Sequence, residues 1–263
     1  MLIEEGTLLQ KEAGGKRAED GQPLRTCACP GSVKRQLAIY DMDRTITRRA
    51  TYTPFLIHAC TRLAPWRLLL LPLVALTLAA YGLKLIDRAR LKEWNYLLMI
   101  GRAIAPERLE PVVESFAERQ LATNVMPGAR RSIAADRAAG RRLVMATASY
   151  RLYAAAIARR LGFDDVIATD TLRDGKGRIV ARIDGANCYG LGKLDMIEAW
   201  LQQAGLEREA VHIRFYSDHV SDHHVHRWAD EAVAANPHRR LIRLAEAEGW
   251  QVVDWSDRKK SKL

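Results

Sequence analysis

Apolar residues along this chain gather in short runs that stop abruptly at polar, chemically active residues. The first run, Leu37-Ala38-Ile39-Tyr40, gives way to Asp41-Met42-Asp43-Arg44-Thr45. A brief apolar run rich in β-formers predicts a buried strand, and the residues after it predict the loop leaving its carboxyl end. Ligands bind at that end in open α/β sheets. If strand geometry persists, Asp41 and Asp43 point the same way and place two negative charges in one small site.

The same pattern recurs downstream. Leu143-Val144-Met145-Ala146 predicts a second strand running into Thr147-Ala148-Ser149, with a helix from about Tyr150 to Leu161. Val166 to Thr169 predicts another strand, and the turn Asp174-Gly175-Lys176-Gly177 ahead of an alternating stretch to Ile183 predicts a β-hairpin. A glycine-containing loop, Asn187 to Gly192, leads to Lys193, which is expected to open a helix over Leu194 to Ala204. Val211 to Tyr216 predicts a last strand, followed by Ser217-Asp218 and, four residues on, Asp222.

Between the first two strands, from Thr47 to about Pro127, the period turns helical. Leu68 to Leu83 is a run of 16 residues without a charge, interrupted by Pro72. A bilayer span needs about 20 apolar residues, and a single crossing would separate Asp41 from every later motif. The run is therefore read as a buried or membrane-apposed helix rather than a span. Trp66 with Arg62, Arg67, Lys84, Arg88 and Arg90 at its flanks suits an anionic surface. Pro106 to Leu121 predicts an amphipathic helix, and Pro127-Gly128 marks the return to the core, ahead of a short helix over Arg130 to Ala139.

Composition narrows the class. The 263 residues suffice for one large core, or for a core with a smaller insert. A formal charge of +10 favours phosphate-bearing partners of some kind. Residues 46 to 127 hold much of that excess, with 11 Lys/Arg against 6 Asp/Glu. Cys27, Cys29, Cys60 and Cys188 form neither a zinc pattern nor a disulfide framework, so a reducing cytoplasm is expected. Residues 1–35 are polar and aperiodic and are expected to form a disordered extension without a secretory signal. Residues 256–263 make a basic tail. No nucleic-acid-binding motif is present and the positive charge is diffuse, so no nucleic acid is expected as partner.

Strand ends bearing Asp-x-Asp-x-Thr, then a hydroxyl, then a Lys, then a second Asp pair resemble the haloacid dehalogenase superfamily, in its phosphatase branch related to phosphoserine phosphatase. Asp41, Asp43 and Thr45 match the first motif, Thr147 the second, Lys193 the third, and Asp218 with Asp222 the fourth. The resemblance covers about residues 36 to 255. It implies an α/β fold with a Rossmann-like parallel-sheet core over 36–46 and 128–255, and an inserted α-helical cap domain over 47–127. It also implies a bacterial, Mg²⁺-dependent phosphomonoesterase. Asp41 would be the nucleophile that forms an aspartyl phosphate, and Asp43 the general acid and base. Thr45, Thr147 and Lys193 would bind phosphate. The metal would sit on Asp41, the Asp43 main-chain carbonyl and Asp218, with Asp222 outside them or acting through water.

Two departures stand out. Arg44 occupies a position where the superfamily most often has Gly, and His223-His224-Val225-His226, with His219, gather near the last motif. Histidines so placed are more often solvated or substrate-facing than metal-binding. The expected substrate is a small phosphorylated metabolite. The hydrophobic Leu68 to Leu83 run argues against phosphoserine itself, and a similar segment occurs in related bacterial phosphatidylglycerophosphatases. A phospholipid head-group phosphate is therefore the competing substrate, with peripheral membrane contact through residues 66–86 on the cytoplasmic face.

Overall fold

A computed structural model describes residues 34–256 of the chain. The expectations for the N-terminal extension up to residue 33, Cys27 and Cys29 among them, and for the basic tail beyond residue 256 lie outside the described residues. Within them, the apolar runs at the predicted strand positions become the centre of a sheet. β1 (Arg35–Tyr40) lies between β3 (Arg142–Tyr150) and β6 (Val211–Ser217), parallel to both. β4 (Asp165–Arg173) extends the parallel set beyond β3, and β7 (Glu231–Ala235) and β8 (Gln251–Val253) extend it beyond β6. β1 and β3 are buried on both faces and hence nearly continuous in apolar residues, whereas β6 alternates with His212 and Arg214 and β8 lies at the exposed edge. Leu37, Ile39, Val144 and Ile213 face a core backed by α7 (Leu191–Gln203), while Tyr40, Leu143 and Met145 face the opposite one.

The predicted hairpin is present. β5 (Ile179–Asp184) runs antiparallel to β4, and the turn is closed by Gly177 N–H donating to the Asp174 carbonyl at 2.8 Å. Its outer edge receives β2 (Ala103–Ile104), a two-residue strand from the helical segment, so the eight-stranded sheet has the order β2-β5-β4-β3-β1-β6-β7-β8. The fold is thus α/β with a mainly parallel sheet.

The segment between β1 and β3 is helical: α1 (Tyr52–Leu63), a tight turn over Pro65–Leu70 running into α2 (Leu71–Gly82), α3 (Arg88–Met99) and α4 (Pro106–Thr123). Pro65 starts the tight turn, and Pro72 lies in the first turn of α2, where its missing N–H is no loss. The buried-helix reading of the Leu68 to Leu83 run is corrected here. Only 6% of Pro65–Gly82 is buried. Leu68 and Val74 touch the core, while Leu69, Leu73, Leu76 and Leu78 face outward. The segment is held by polar contacts instead: Arg67 donates to the Leu97 and Leu98 carbonyls, each at 3.0 Å, and Thr77 to Asn95 Oδ1 at 2.6 Å.

The chain re-enters the sheet through α5 (Pro127–Ala138). Gly128 is required there, because a Cβ would lie 2.6 Å from the Trp255 Cα. α6 (Arg151–Leu161) follows β3 and packs under α4 through Tyr153 and Phe116, whose ring centroids are 5.5 Å apart. α8 (His223–Trp228) and α9 (Arg239–Glu248) complete the far side.

Candidate active site

β1 ends at Tyr40, one residue before Asp41, and the chain then turns sharply over Met42–Ile46. The alternation that would have set Asp41 and Asp43 side by side therefore does not continue, and the two carboxylates reach the same cavity by different routes. The turn is closed by Thr47 N–H donating to the Met42 carbonyl at 3.0 Å and forces Arg44 to φ +63°. A left-handed conformation costs a side-chain-bearing residue energy that glycine avoids. That is a backbone reason for glycine at this position, and it shows what Arg44 gives up. Asn236 props the turn from outside, its amide donating to the Thr45 carbonyl at 3.0 Å while its Oδ1 accepts from Trp255 N–H at 2.7 Å.

Lys193 ties the site together. It lies in the first turn of α7, which starts at Leu191 rather than Leu194, and its side chain is only 2% exposed. Its ammonium donates to Asp41 Oδ1 at 2.8 Å and to Asp222 Oδ2 at 2.6 Å. Burial works against the charged form, yet Asp222 and Asp41 outweigh it and hold the lysine protonated, well above its ordinary range. Asp222 is buried too, but Lys193 and a 2.7 Å hydrogen bond from Ser217 hold its pKa below the usual value.

Asp41 and Asp218 are less well compensated. The single Thr45 hydroxyl lies 3.1 Å from Asp41 Oδ2 and 3.3 Å from Asp218 Oδ1, and one proton cannot serve both. Burial raises both pKa values, and mutual repulsion with the neighbouring aspartates adds to it. Two buried carboxylates in this state suit a hard divalent cation. Among the described residues no group of three or more acidic, imidazole or thiolate side chains converges as a metal cage. The set that fits is accordingly two carboxylates completed by main-chain or solvent oxygens.

Asp43 is seated separately. Its Oδ1 accepts from the Thr51 N–H and hydroxyl, both at 2.7 Å, and its Oδ2 from the Ser149 hydroxyl at 2.6 Å. Tyr153 in turn donates to Ser149 at 2.8 Å. Thr147 is fully buried beside this seat, its hydroxyl accepting from Ser149 N–H at 3.1 Å. Asp41, Asp43, Thr147, Lys193, Asp218 and Asp222 all line one cavity of about 280 Å³, whereas Thr45 stands behind Asp41 and Asp218. Arg44, Arg88, Tyr52 and Tyr189 shape the rest of its wall, and the Arg88 guanidinium sits 4.2 Å over the Tyr189 ring. A larger cleft, about 720 Å³, lies between α1 and α4 and is lined by Arg48, Arg49, Arg62 and Arg119, but it contains no carboxylate that could react.

Several supporting residues carry no local signal in the sequence. Thr51 and Tyr153 are brought to Asp43 only by folding. Lys92 of α3 is buried, reaching the Ala148 carbonyl and Asn187 Oδ1, the latter at 2.7 Å, so the helical segment grips both loops that line the cavity. Burial, with Arg88 nearby, pushes its pKa down to about 7. The histidines do not converge. His226 is buried between the Asp222 and Val233 carbonyls and stacks on Trp250, His223 faces the Val220 carbonyl, and only His219 lines the cavity.

Comparison with known proteins gives three kinds of likeness. The family model described as haloacid dehalogenase-like hydrolase matches residues 38–227. A protein named phosphoserine phosphatase SerB1, from Mycobacterium tuberculosis, is 29% identical over 155 residues, covering 59% of this chain and 49% of its own length. The chain spans about half the length of the first curated relatives it matches. A crystal structure of a Bordetella pertussis protein of unknown function superposes with a TM-score of 0.76 at 27% identity, covering 85% of this chain and all of that one. A structure described as a phospho-aspartyl intermediate analogue of phosphoserine phosphatase superposes at 0.56 with 14% identity, covering 86% of this chain and 95% of that one, a likeness of fold.

Proposed function

We propose, on the premise that this chain belongs to the haloacid dehalogenase-like hydrolase family, that it is a phosphomonoesterase working through an aspartyl phosphate on Asp41. The observation that carries the reading is the pairing of Asp41 with Lys193 at 2.8 Å inside a small cavity that Asp43 also lines. The fold likeness to a structure described as a phospho-aspartyl analogue supports it.

In this reading Asp41 attacks phosphorus, forming an acyl phosphate as the P–O bond to the leaving alkoxide breaks. Asp43, held by Thr51 and Ser149, gives its proton to that alkoxide and then takes one from the water that cleaves the acyl phosphate. Thr147 and Lys193 hold the equatorial oxygens, where negative charge is stabilised in the transition state. Asp222 and Ser217 keep the lysine aimed at Asp41. The Asp41 and Asp218 carboxylates, with the Asp43 main-chain carbonyl, would hold Mg²⁺, which when bound offsets the repulsion between a carboxylate nucleophile and an anionic phosphate. The helical segment 47–127 acts as a cap whose Arg88 and Tyr52 face the leaving group.

The cavity volume suits a small phosphorylated metabolite. A phospholipid head-group phosphate is the second substrate class, favoured by the outward leucines of Pro65–Gly82. The compartment is the reducing cytoplasm, which suits Cys60 and Cys188 as free thiols. The test is phosphate release from a panel of sugar, amino-acid, nucleotide and lipid phosphates with Mg²⁺ or EDTA. Metal-dependent release lost in Asp41→Asn supports the reading, and release that survives the substitution overturns it.

A further inference from the structure

The most anomalous surface on the molecule is the outer side of Pro65–Leu85. A helix that is apolar on every side is ordinarily buried in protein or lipid. Here one side packs on α3, while the outer side, equally apolar, is not covered by the described residues. Leu69 is 81% exposed, Leu76 64%, Leu83 71%, Leu85 73% and Trp66 60%. Contiguous apolar surface on this scale marks a contact site.

Charge indicates what covers it. From Thr51 to Ile86 the chain contains no acidic residue, while Arg62 and Lys84 are exposed at either end of the apolar segment. A second copy of the chain meeting this face about a two-fold axis would bring those cations together. A lipid leaflet with anionic head groups neutralises them, accepts the leucines below, and suits an exposed Trp at the boundary.

The connectivity excludes a span. The segments on both sides of α2 pack into the same core as the catalytic strands, and Arg67 and Thr77 tie it sideways onto α3. Asp41, upstream of the helix, and Lys193 and Asp218, downstream, meet in one site, so both ends of the helix lie on one side of any membrane. The face also leads to the reaction cavity: Leu83 and Leu85 are followed by Asp87, which caps α3 by accepting from Arg90 N–H at 2.7 Å, and then by Arg88 in the cavity wall.

We infer that the outer face of Pro65–Leu85 is a docking surface for an anionic lipid bilayer, laid flat at head-group level with the catalytic cavity beside it. The docking itself stands on the exposed face alone. Its consequence, that the phosphoester hydrolysed is presented at the bilayer surface, rests on the phosphatase reading.

The experiment is co-sedimentation of the full chain with phosphatidylcholine vesicles, with and without phosphatidylglycerol, for wild type, Leu76→Asp, Leu69→Ser and Lys84→Glu. Circular dichroism checks that each variant is folded, and release of p-nitrophenol from its phosphate is measured in parallel. Wild type is expected to sediment with the anionic vesicles only. Leu76→Asp should weaken this roughly tenfold or more, since burial of one leucine is worth that much, with Leu69→Ser and Lys84→Glu also weakening it and p-nitrophenyl phosphate turnover unchanged. Absence of vesicle binding, binding indifferent to the leucine changes, or a dimer dissolved by Leu76→Asp without vesicle binding would each overturn the inference. Vesicle binding without phosphatase activity would sink the phosphatase reading and leave the docking intact.

Discussion

Arg44 carries a cost that its neighbours do not. Its φ of +63° is a glycine conformation, and the side chain earns nothing from the backbone there. Replacing it with glycine removes the left-handed penalty, partly offset by the greater freedom of glycine in the unfolded chain, and should stabilise the protein by about 0.5–1 kcal/mol in urea unfolding. An unchanged or lower midpoint would contradict the assignment of strain. Lys92 makes a different kind of prediction. Its pKa is lowered to about 7 by burial, with Arg88 adding to the effect, so between pH 7 and its ordinary value the unfolded chain holds a proton that the native state has released. Stability contributed by the neutral lysine therefore rises with pH across that window and is lost as pH falls toward 7. Measured against Lys92→Met, wild type should gain stability from pH 7 to pH 10, and a difference independent of pH would show that the lysine is not buried as described.

Asp41, Asp43, Thr147, Lys193, Asp218 and Asp222, which line one cavity, were legible in the sequence because each sits where an apolar run stops or a helix begins. Their supports were not. Thr51 is separated from Asp43 by 8 residues, Ser149 by 106 and Asn236 from Thr45 by 191, and nothing in local pattern announces a hydrogen bond across such distances.

Among the elements, β1 and β3 could be read from their apolar runs, β6 from the β-formers between Val211 and Tyr216, and the β4–β5 hairpin from its Asp-Gly turn. β2, β7 and β8 could not, being two, five and three residues long. The composition of α2 revealed a hydrophobic helix but not its exposure. Apolar periodicity says which residues avoid water, and a helix without polar positions has no periodicity to say where its partner lies. Pro127-Gly128 read as punctuation, and the structure adds the reason: α5 begins against the backbone of Trp255, which leaves no room for a methyl group. Gly128→Ala should cost about 1–3 kcal/mol through this clash and lower Tm by about 2–4 °C for each kcal/mol. An unaltered Tm would mean that the C-terminal strand and Trp255 are not seated on α5.

Across the whole chain, the carboxyl ends of the central strands bring Asp41, Asp43, Asp218 and Asp222 to one cavity with Lys193, a balance of charge that suits a cation. Raised pKa values at Asp41 and Asp218 mean that protons compete with metal there, so Mg²⁺ should bind more tightly as pH rises. Mg²⁺ should also raise the Tm of wild type, by linkage to the native state, and raise that of Asp218→Asn far less. Equal shifts in both would place the metal elsewhere. The family and the parallel sheet follow from motif order alone. The inserted helical segment over 47–127 was expected from the resemblance, but that α1, α3 and α4 share one hydrophobic core with the sheet became visible only in the structure.

Phosphorylation of Asp41 is the step on which the proposed chemistry depends. It is tested most directly by mixing the Asp43→Asn variant with p-nitrophenyl phosphate and Mg²⁺, quenching in acid, and locating phosphate on peptides by mass spectrometry. p-Nitrophenolate leaves without a proton, so the first step proceeds, while the water that should cleave the acyl phosphate lacks its base. Phosphate is expected to accumulate on Asp41. Steady turnover with no phosphorylated residue, or phosphate on any other side chain, would contradict it.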